Sequence, residues 1–435
     1  MERKYKDSGI EWIGKIPETW NLKRLVSQLI EIKEKNNPLK TDKVLSLTIK
    51  DGVIPYEEKG DVGNKSKENH EEYKLAYPNT IVLNSMNILI GAVGISNYYG
   101  CVSPVYYVFK NRDSSNLRFI NYIMSSTPFQ KYLRKYANGI LEIRLRISAE
   151  DILKRQIPSP DLNVQQRISD YLDKKCGEID SLIALQEQMI EILKAYKQSV
   201  ITEAVTKGLN PNAKLVPSGI DWIGDIPEGW QTKPFKELFR TGKGLSFTKA
   251  DLVKDGIPVI SYGQVHSKQN KGTRIDKVLV RFVPEEIAKS GESSKVNVGD
   301  FIFADTSEDL SGCGNCVYVD REIGLYAGYH SVIAFSKRKK SNTYLAYLFL
   351  TDCWRSQIRC RVSGIKVFSI SQAIIKQTSI ILPSENEQEA IANYLDEKCA
   401  DIDRLIALKQ QKIESLKDYK KSVIYEAVTG KTTIE

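Results

Sequence analysis

The chain repeats itself. Residues 8–20, Ser-Gly-Ile-Glu-Trp-Ile-Gly-Lys-Ile-Pro-Glu-Thr-Trp, return at 218–230 as Ser-Gly-Ile-Asp-Trp-Ile-Gly-Asp-Ile-Pro-Glu-Gly-Trp. Residues 163–206 return at 386–429, with 28 of 44 positions identical. The intervening stretches, 21–162 and 231–385, scarcely resemble each other. Repetition of this kind constrains architecture more than any local propensity does. A frame kept twice around inserts that diverged implies a pseudo-twofold internal repeat, with two unlike heads carried on one mount.

The longer repeat has the pattern of a helix. No proline interrupts 163–206, and apolar residues recur in steps of three and four: Ile168, Leu172, Ile179, Leu182, Ile183, Ile190, Leu193, Tyr196, Val200 and Ala204. Their counterparts are Ile391, Leu395, Ile402, Leu405, Ile406, Ile413, Leu416, Tyr419, Val423 and Ala427. Cys176 and Cys399 occupy equivalent places in the stripe. So narrow a stripe cannot bury itself alone, and each copy is the natural partner of the other in an antiparallel or otherwise two-fold coiled coil. The pairing set we expect is Ile179, Leu182, Ile183, Ile190, Leu193, Tyr196 and Val200 against Ile402, Leu405, Ile406, Ile413, Leu416, Tyr419 and Val423. Gly177 is a point where the first copy can break, whereas the second has Ala400 there; Gly208, followed by Pro211, is the expected stop. From Glu178 to Thr206 the helix would run about 44 Å, longer than the roughly 34–36 Å of one DNA turn.

Charge is distributed unevenly along the chain. Region 21–162 has 21 Lys+Arg against 15 Asp+Glu, and region 231–385 has 23 against 15. The repeated segments 163–206 and 386–429 have 5 against 7 and 7 against 9. The basic excess therefore lies in the divergent parts, which points to a polyanionic partner touching both heads. The plainer reading is that mild basicity only aids solubility.

The heads share landmarks in order. Lys50–Pro55 parallels Lys254–Pro258; strand candidates follow at Thr80–Leu83 and at Asp300–Phe303, then at Cys101–Phe109 and at His330–Phe335. Helical patterns come next near Leu117–Tyr136 and Thr343–Arg361. Gly139 and Gly364, a short strand-like stretch, and Pro158 and Pro383 then lead into the long helices. The expected fold class is α+β: two α/β heads joined by two long helices. The segments are 1–162 (first head with the short motif), 163–210 (first helix), 211–385 (second head with its motif) and 386–435 (second helix).

Loops between the landmarks carry side chains that reach phosphates and base edges. In the first head these are Asn64, Lys65, Lys67, Arg134, Lys135, Arg144 and Arg146. In the second they are Lys268, Gln269, Asn270, Lys271, Arg274, Arg355, Arg359, Arg361 and Lys366. A charged loop is often only solvated, so the expectation belongs to the group more than to its members. Trp12, Trp20, Trp222 and Trp230 sit in the short motif; since that motif persists where the heads diverge, packing of head on helix is the reading, ahead of base stacking.

No catalytic constellation appears. Asn210-Pro211-Asn212-Ala213 lacks the second proline and aromatic of an amino-methyltransferase sequence, Gly430-Lys431-Thr432 lacks the earlier glycine of a phosphate loop, and Gly91-Ala-Val-Gly94 is too short for a dinucleotide fingerprint. Three histidines offer little acid–base chemistry, and Cys313-Gly-Asn-Cys316 has no second close pair to complete a metal site. Seven scattered cysteines fit a reducing cytoplasm. No apolar run is long enough for a membrane span, and the charged N-terminus has no secretory pattern. The chain reads as a binder.

With Gly-Ile-x-Trp-Ile-Gly-x-Ile-Pro-x-x-Trp before each head, and Pro158-Ser-Pro-Asp-Leu-Asn-Val-Gln165-Gln-Arg-Ile168 and Pro383-Ser-Glu-Asn-Glu-Gln388-Glu-Ala-Ile391 opening the helices, the chain resembles the specificity subunit of type I restriction–modification systems. The resemblance covers almost the whole chain. It implies that the heads are target recognition domains, each reading half of a bipartite, interrupted double-stranded DNA site. It also implies that the paired helices fix their spacing and dock two methyltransferase (M) subunits, with restriction (R) subunits joining the full complex. The chain itself would then be non-catalytic and without cofactor, SAM and ATP binding only to the partner subunits. A protein-assembly scaffold whose divergent heads bind proteins is the alternative.

Overall fold

The computed structural model describes residues 3–434 except 50, 61–68, 87, 113–114, 139–144 and 339–340. The chain forms two compact units, Met1–Gln188 with Lys409–Glu435, and Met189–Leu408. Each unit therefore holds one head together with part of both long helices, rather than following the four sequence segments.

The long helices run Leu162–Lys207 and Glu385–Val428. The first passes through Gly177 without a break, against the expectation that it can divide there. One helical glycine costs about 1 kcal/mol, too little to outweigh a packed seam on either side of it. Gly208 ends that helix as expected, with φ +76°. In the first unit, Ile168 and Leu172 near one helix's start share a core with Val423, Ala427 and Val428 at the other's end. In the second unit, Val200, Ile201 and Ala204 pack with Ile391, Leu395 and Cys399. In each unit the two helices are antiparallel.

One set of sheltered positions in each helix follows an alternation of four and three. They are Leu172, Cys176, Ile179, Ile183, Gln186, Ile190, Leu193, Lys197 and Val200, and then Leu395, Cys399, Ile402, Ile406, Lys409, Ile413, Leu416, Lys420 and Val423. That is a heptad seam. Four residues assigned to it from sequence lie outside it: Leu182 is 47% exposed, Tyr196 55%, Leu405 47% and Tyr419 50%. Leu182 adjoins Ile183, and Leu405 adjoins Ile406; only the phase of the heptad decides which of two neighbouring apolar residues turns inward. Both Lys197 and Lys420 occupy seam positions and are satisfied there, Lys420 by Asp180 at 2.7 Å in the first unit and Lys197 by Asp403 at 2.7 Å in the second.

The main sheets of the two heads have one strand order. The first has an antiparallel sheet in the order Leu29–Ile32, Tyr106–Asn111, Thr80–Asn84, Val93–Ser96; the second has Phe239–Lys243, Ser331–Ser336, Phe301–Ala304, Cys316–Tyr318. Small pairs repeat as well. Asn21–Arg24 pairs with Gln156–Ser159, and Gln231–Pro234 with Ser379–Leu382, so each head closes on itself beside its helix entry. The run Cys101–Phe109 is divided into Gly100–Val102 and Tyr106–Asn111 by a turn at Ser103-Pro104. Both helical patterns are pairs of short helices. Leu117–Ser125 is followed by Thr127–Arg134, where Pro128 near the new start disfavours continuation, and Thr343–Phe349 by Asp352–Arg359, capped by Thr351. Among the described residues, no helix is long and apolar enough to cross a membrane.

Candidate nucleic-acid interface

Each head is fastened to its helix by chemistry that recurs in both units. Gln165 donates from Nε2 to the Pro160 carbonyl at 2.8 Å, and its Oε1 accepts from the Asn116 backbone N–H at 2.9 Å. Gln388 does the same with the Pro383 carbonyl at 2.9 Å, its Oε1 accepting from Arg338 at 3.1 Å. This is why a glutamine follows the proline in both motifs: it ties the first helical turn to the entering chain and to the head at once.

A second fastener uses an aspartate of each helix. The Tyr122 hydroxyl donates to Asp173 at 2.6 Å, and Arg118 pairs with Asp173 and, at 2.6 Å, with Asp170. In the second unit, Tyr347 donates to Asp396 at 2.6 Å, and Arg274 reaches the same oxygen at 3.3 Å. Burial, and then the bond to the carboxylate, push both phenols well above the usual tyrosine range. Two divergent heads thus bring a tyrosine and an arginine to equivalent aspartates. Sequence reasoning missed both sets. The signal available was Asp173 and Asp396, identical polar residues of the repeat lying outside the apolar stripe.

The short motifs fasten the other end. Trp20 and Trp230 are buried, and each lies over a helix-ending glycine: a Cβ on Gly430 would stand 2.9 Å from Trp20, and one on Gly208 would stand 3.1 Å from Trp230. In the first unit, Arg3 and the Tyr5 hydroxyl both donate to the Gly430 carbonyl at 3.3 Å. Trp12 is buried against Phe129, whereas Trp222 is 53% exposed.

The sequence-predicted contact residues fall into distinct groups. Asn64, Lys65, Lys67 and Arg144 lie outside the described residues. Arg134, Lys135 and Arg146 are exposed, with Lys135 paired to Glu11. Lys268 and Gln269 are exposed at a loop tip. Asn270 is committed to shaping that loop: its amide donates to Val265 at 2.8 Å and Cys316 at 2.9 Å, and accepts from Gly272 at 2.9 Å. Lys271 reaches Asp403 at 3.2 Å and Arg274 reaches Asp396, so both lean on the helix. Burial works against ionisation of Asp403, but the Lys197 and Lys271 ammonium groups outweigh it and hold the carboxyl below its usual range.

Arg355 and Arg359 line a cleft of about 990 Å³ in the second head, with Tyr262, His266, Asn315 and His330. The His266 Nε2 lies 2.8 Å from the Thr306 carbonyl oxygen, and its Nδ1 lies 3.2 Å from the Asn315 amide nitrogen. Arg355 donates to the Phe349 carbonyl at 2.8 Å, and burial pushes its guanidinium down. Arg359 is held by Asp352 at 2.7 Å and by the Ser311 carbonyl at 3.0 Å. Arg361 turns back to the Gln357 carbonyl, while Lys366 is exposed on a neighbouring hairpin. Cys313 and Cys316 are buried, and burial raises both thiols, Cys316 to about 12.

The doubled frame that carries these residues is matched among known proteins. The family model described as the type I restriction modification DNA specificity domain matches residues 17–195 and again 227–418. The chain belongs to this family. Among curated specificity subunits, that of the type I restriction enzyme MjaVIII from Methanocaldococcus jannaschii is 24% identical over 433 residues, 97% of this chain and 95% of that one. The StySPI specificity subunit of Salmonella potsdam is 26% identical over 214 residues, 48% of this chain and 45% of its own. Two solved structures share the fold. One, from work on complex assembly and conformational transition of the type I R-M system, has a TM-score of 0.71 at 13% identity, covering 96% of this chain and 99% of that one. The other, the HsdS subunit from Thermoanaerobacter tengcongensis, has a TM-score of 0.52 at 12% identity, covering 96% and 98%. As a specificity subunit, the chain is a recognition component and not an enzyme.

Proposed function

We propose that this chain selects the DNA sequence on which a type I restriction–modification complex acts in the cytoplasm. Each head reads one half of a bipartite, interrupted duplex site, and the paired helices space the heads and dock two methyltransferase subunits, restriction subunits joining the full complex. One observation carries this reading: the fasteners and seam are duplicated, while the cationic loops they hold are not. An invariant mount with two variable surfaces suits a partner asymmetric in sequence but uniform in backbone.

The helices also offer a duplicated surface for a partner present twice. In the first unit, Leu182, Leu185 and Tyr419 are about half exposed; in the second, Leu405, Leu408 and Tyr196 are their equivalents and Ile192 joins them. These residues, outside the seam, are our candidates for methyltransferase docking.

Replacing residues 231–385 with the corresponding region of a relative tests the proposal. Methylome sequencing should then show one half-site changed and the other kept; both changing, or neither, would refute modular reading. Removing seven residues from one long helix should alter the spacer accepted between half-sites, and an unaltered spacer would remove the spacing role.

A further inference from the structure

A hairpin of the second head raises an apolar side chain where a cationic loop alone was expected. Val362 and Phe368 pack against the head's core, and Ile370 is buried in it. Phe368 and Ser369 pair with Ser307 and Thr306, and Ser363 bridges Ser369 across the hairpin. The turn is tight at Gly364: φ is +150°, and a Cβ there would stand 2.0 Å from the Val367 carbonyl oxygen. So the base is anchored and the turn admits no other residue without rearrangement. On this support Ile365 is 99% exposed, the most exposed large apolar side chain among the described residues. Lys366 beside it is exposed, and Val367, 50% exposed, borders the cleft that holds Arg355 and Arg359.

The chemistry of the tip narrows what it can meet. One isoleucine with a half-exposed valine is too small a patch to hold a protein partner, and a lysine adjoins it. A protruding hairpin tip of this size can enter the major groove of B-DNA, about 12 Å wide. In the major groove the one apolar feature of a base edge is the thymine 5-methyl group. We propose that Ile365 is a specificity-determining residue of the second head, contacting a thymine 5-methyl group in its half-site while Lys366 meets the neighbouring phosphate. This rests on the DNA-reading function proposed above.

The test uses the chain assembled with its methyltransferase subunits, on duplexes in which each thymine of the second half-site is replaced in turn by deoxyuridine. Losing a methyl contact worth about one buried methylene should weaken wild-type binding about fourfold at one position. Ile365→Ala should bind the thymine duplex about fourfold more weakly and be indifferent to deoxyuridine at that position. The first half-site should be unaffected in both. The inference is overturned if no substitution weakens the wild type, if Ile365→Ala stays as sensitive as wild type, or if it loses affinity equally for all duplexes. Loss of methyltransferase assembly in Ile365→Ala would likewise overturn it, in favour of a protein contact. Failure of the wild-type complex to prefer any sequence would instead refute DNA reading itself.

Discussion

The tyrosine–aspartate fastener gives a prediction whose size follows from the structure. Tyr347→Phe removes one hydroxyl and leaves the ring, so the packing around it is kept and no cavity is created. Tyr347 is 3% exposed, and the bond it loses is to a carboxylate; such bonds contribute about 1.5–3 kcal/mol when broken. The Asp396 side chain is 39% exposed and keeps Arg274, so water and guanidinium recover part of the loss. About 1–2 kcal/mol should remain. For a unit the size of Met189–Leu408, this lowers the midpoint of thermal unfolding by about 2–8 °C.

The assay is calorimetry of wild type, Tyr347→Phe, Asp396→Asn and the double variant. A coupling energy of about 1–2 kcal/mol between the two sites is expected. Tyr394→Phe, at an exposed tyrosine on the same helix, should shift stability by less than about 0.5 kcal/mol. Coupling within error of zero, or equal effects of Tyr347→Phe and Tyr394→Phe, would refute the fastener. Tyr122→Phe should cost less, because Arg118 still grips Asp173 as well as Asp170.

Raised phenols carry a pH signature. Tyr122, Tyr344 and Tyr347 keep their protons in the folded state above the ordinary value of about 10, so their contribution is complete below that pH and is lost as pH rises beyond it; unfolding midpoints should fall above pH ~10, and less steeply in Tyr347→Phe. Gly177→Ala, in open space within a helix, should stabilise the chain by about 0.5–1 kcal/mol, whereas Gly430→Ala, at φ +73° with Pro17 2.6 Å from the added Cβ, should destabilise it and expose the N-terminal motif to hydrogen exchange. Ile413→Ala, 1% exposed in the seam, should cost about 2–5 kcal/mol in chemical denaturation, and Ile192→Ala, 59% exposed, under about 0.5 kcal/mol. DNA affinity should fall linearly on a log–log plot against salt, and Lys268→Ala should reduce that slope by about 1 if Lys268 meets a phosphate.

What could be read in advance divides by the range of the interaction. The long helices were legible because their signal is local and printed twice: Ile179, Ile190 and Val200 recur as Ile402, Ile413 and Val423 at matching intervals. Their phase was not, since Leu182 and Ile183 are equally apolar and only the partner helix chooses between them. Strands such as Thr80–Asn84 and Phe301–Ala304 were legible as apolar runs, but their order depends on distant pairings such as Leu29–Ile32 with Tyr106–Asn111. The contact residues divide in the same way. Asn270 has the composition of a base reader, yet two hydrogen bonds within its own loop and one to the strand at Cys316 employ both ends of its amide. Ile365 has the composition of a core residue and is the most exposed of its kind among the described residues. Type alone misplaces both, because backbone geometry decides which side chains a loop consumes and which it presents.

That division bears on how two unlike heads can share one mount. On the helix side the demands are the same in each unit: Gln165 or Gln388 at the entry, Asp173 or Asp396 two turns on, and a glycine under Trp20 or Trp230. On the head side they are few: a tyrosine hydroxyl, an arginine and a closing strand pair. Arg118 comes from a helix next to Tyr122, whereas Arg274 comes from a loop far from Tyr347 in sequence. The cation is supplied by different elements while the aspartate stays in place. A fastening that specifies chemistry at one helix position, and leaves its source open, lets the surface above it change without disturbing the helix pair below.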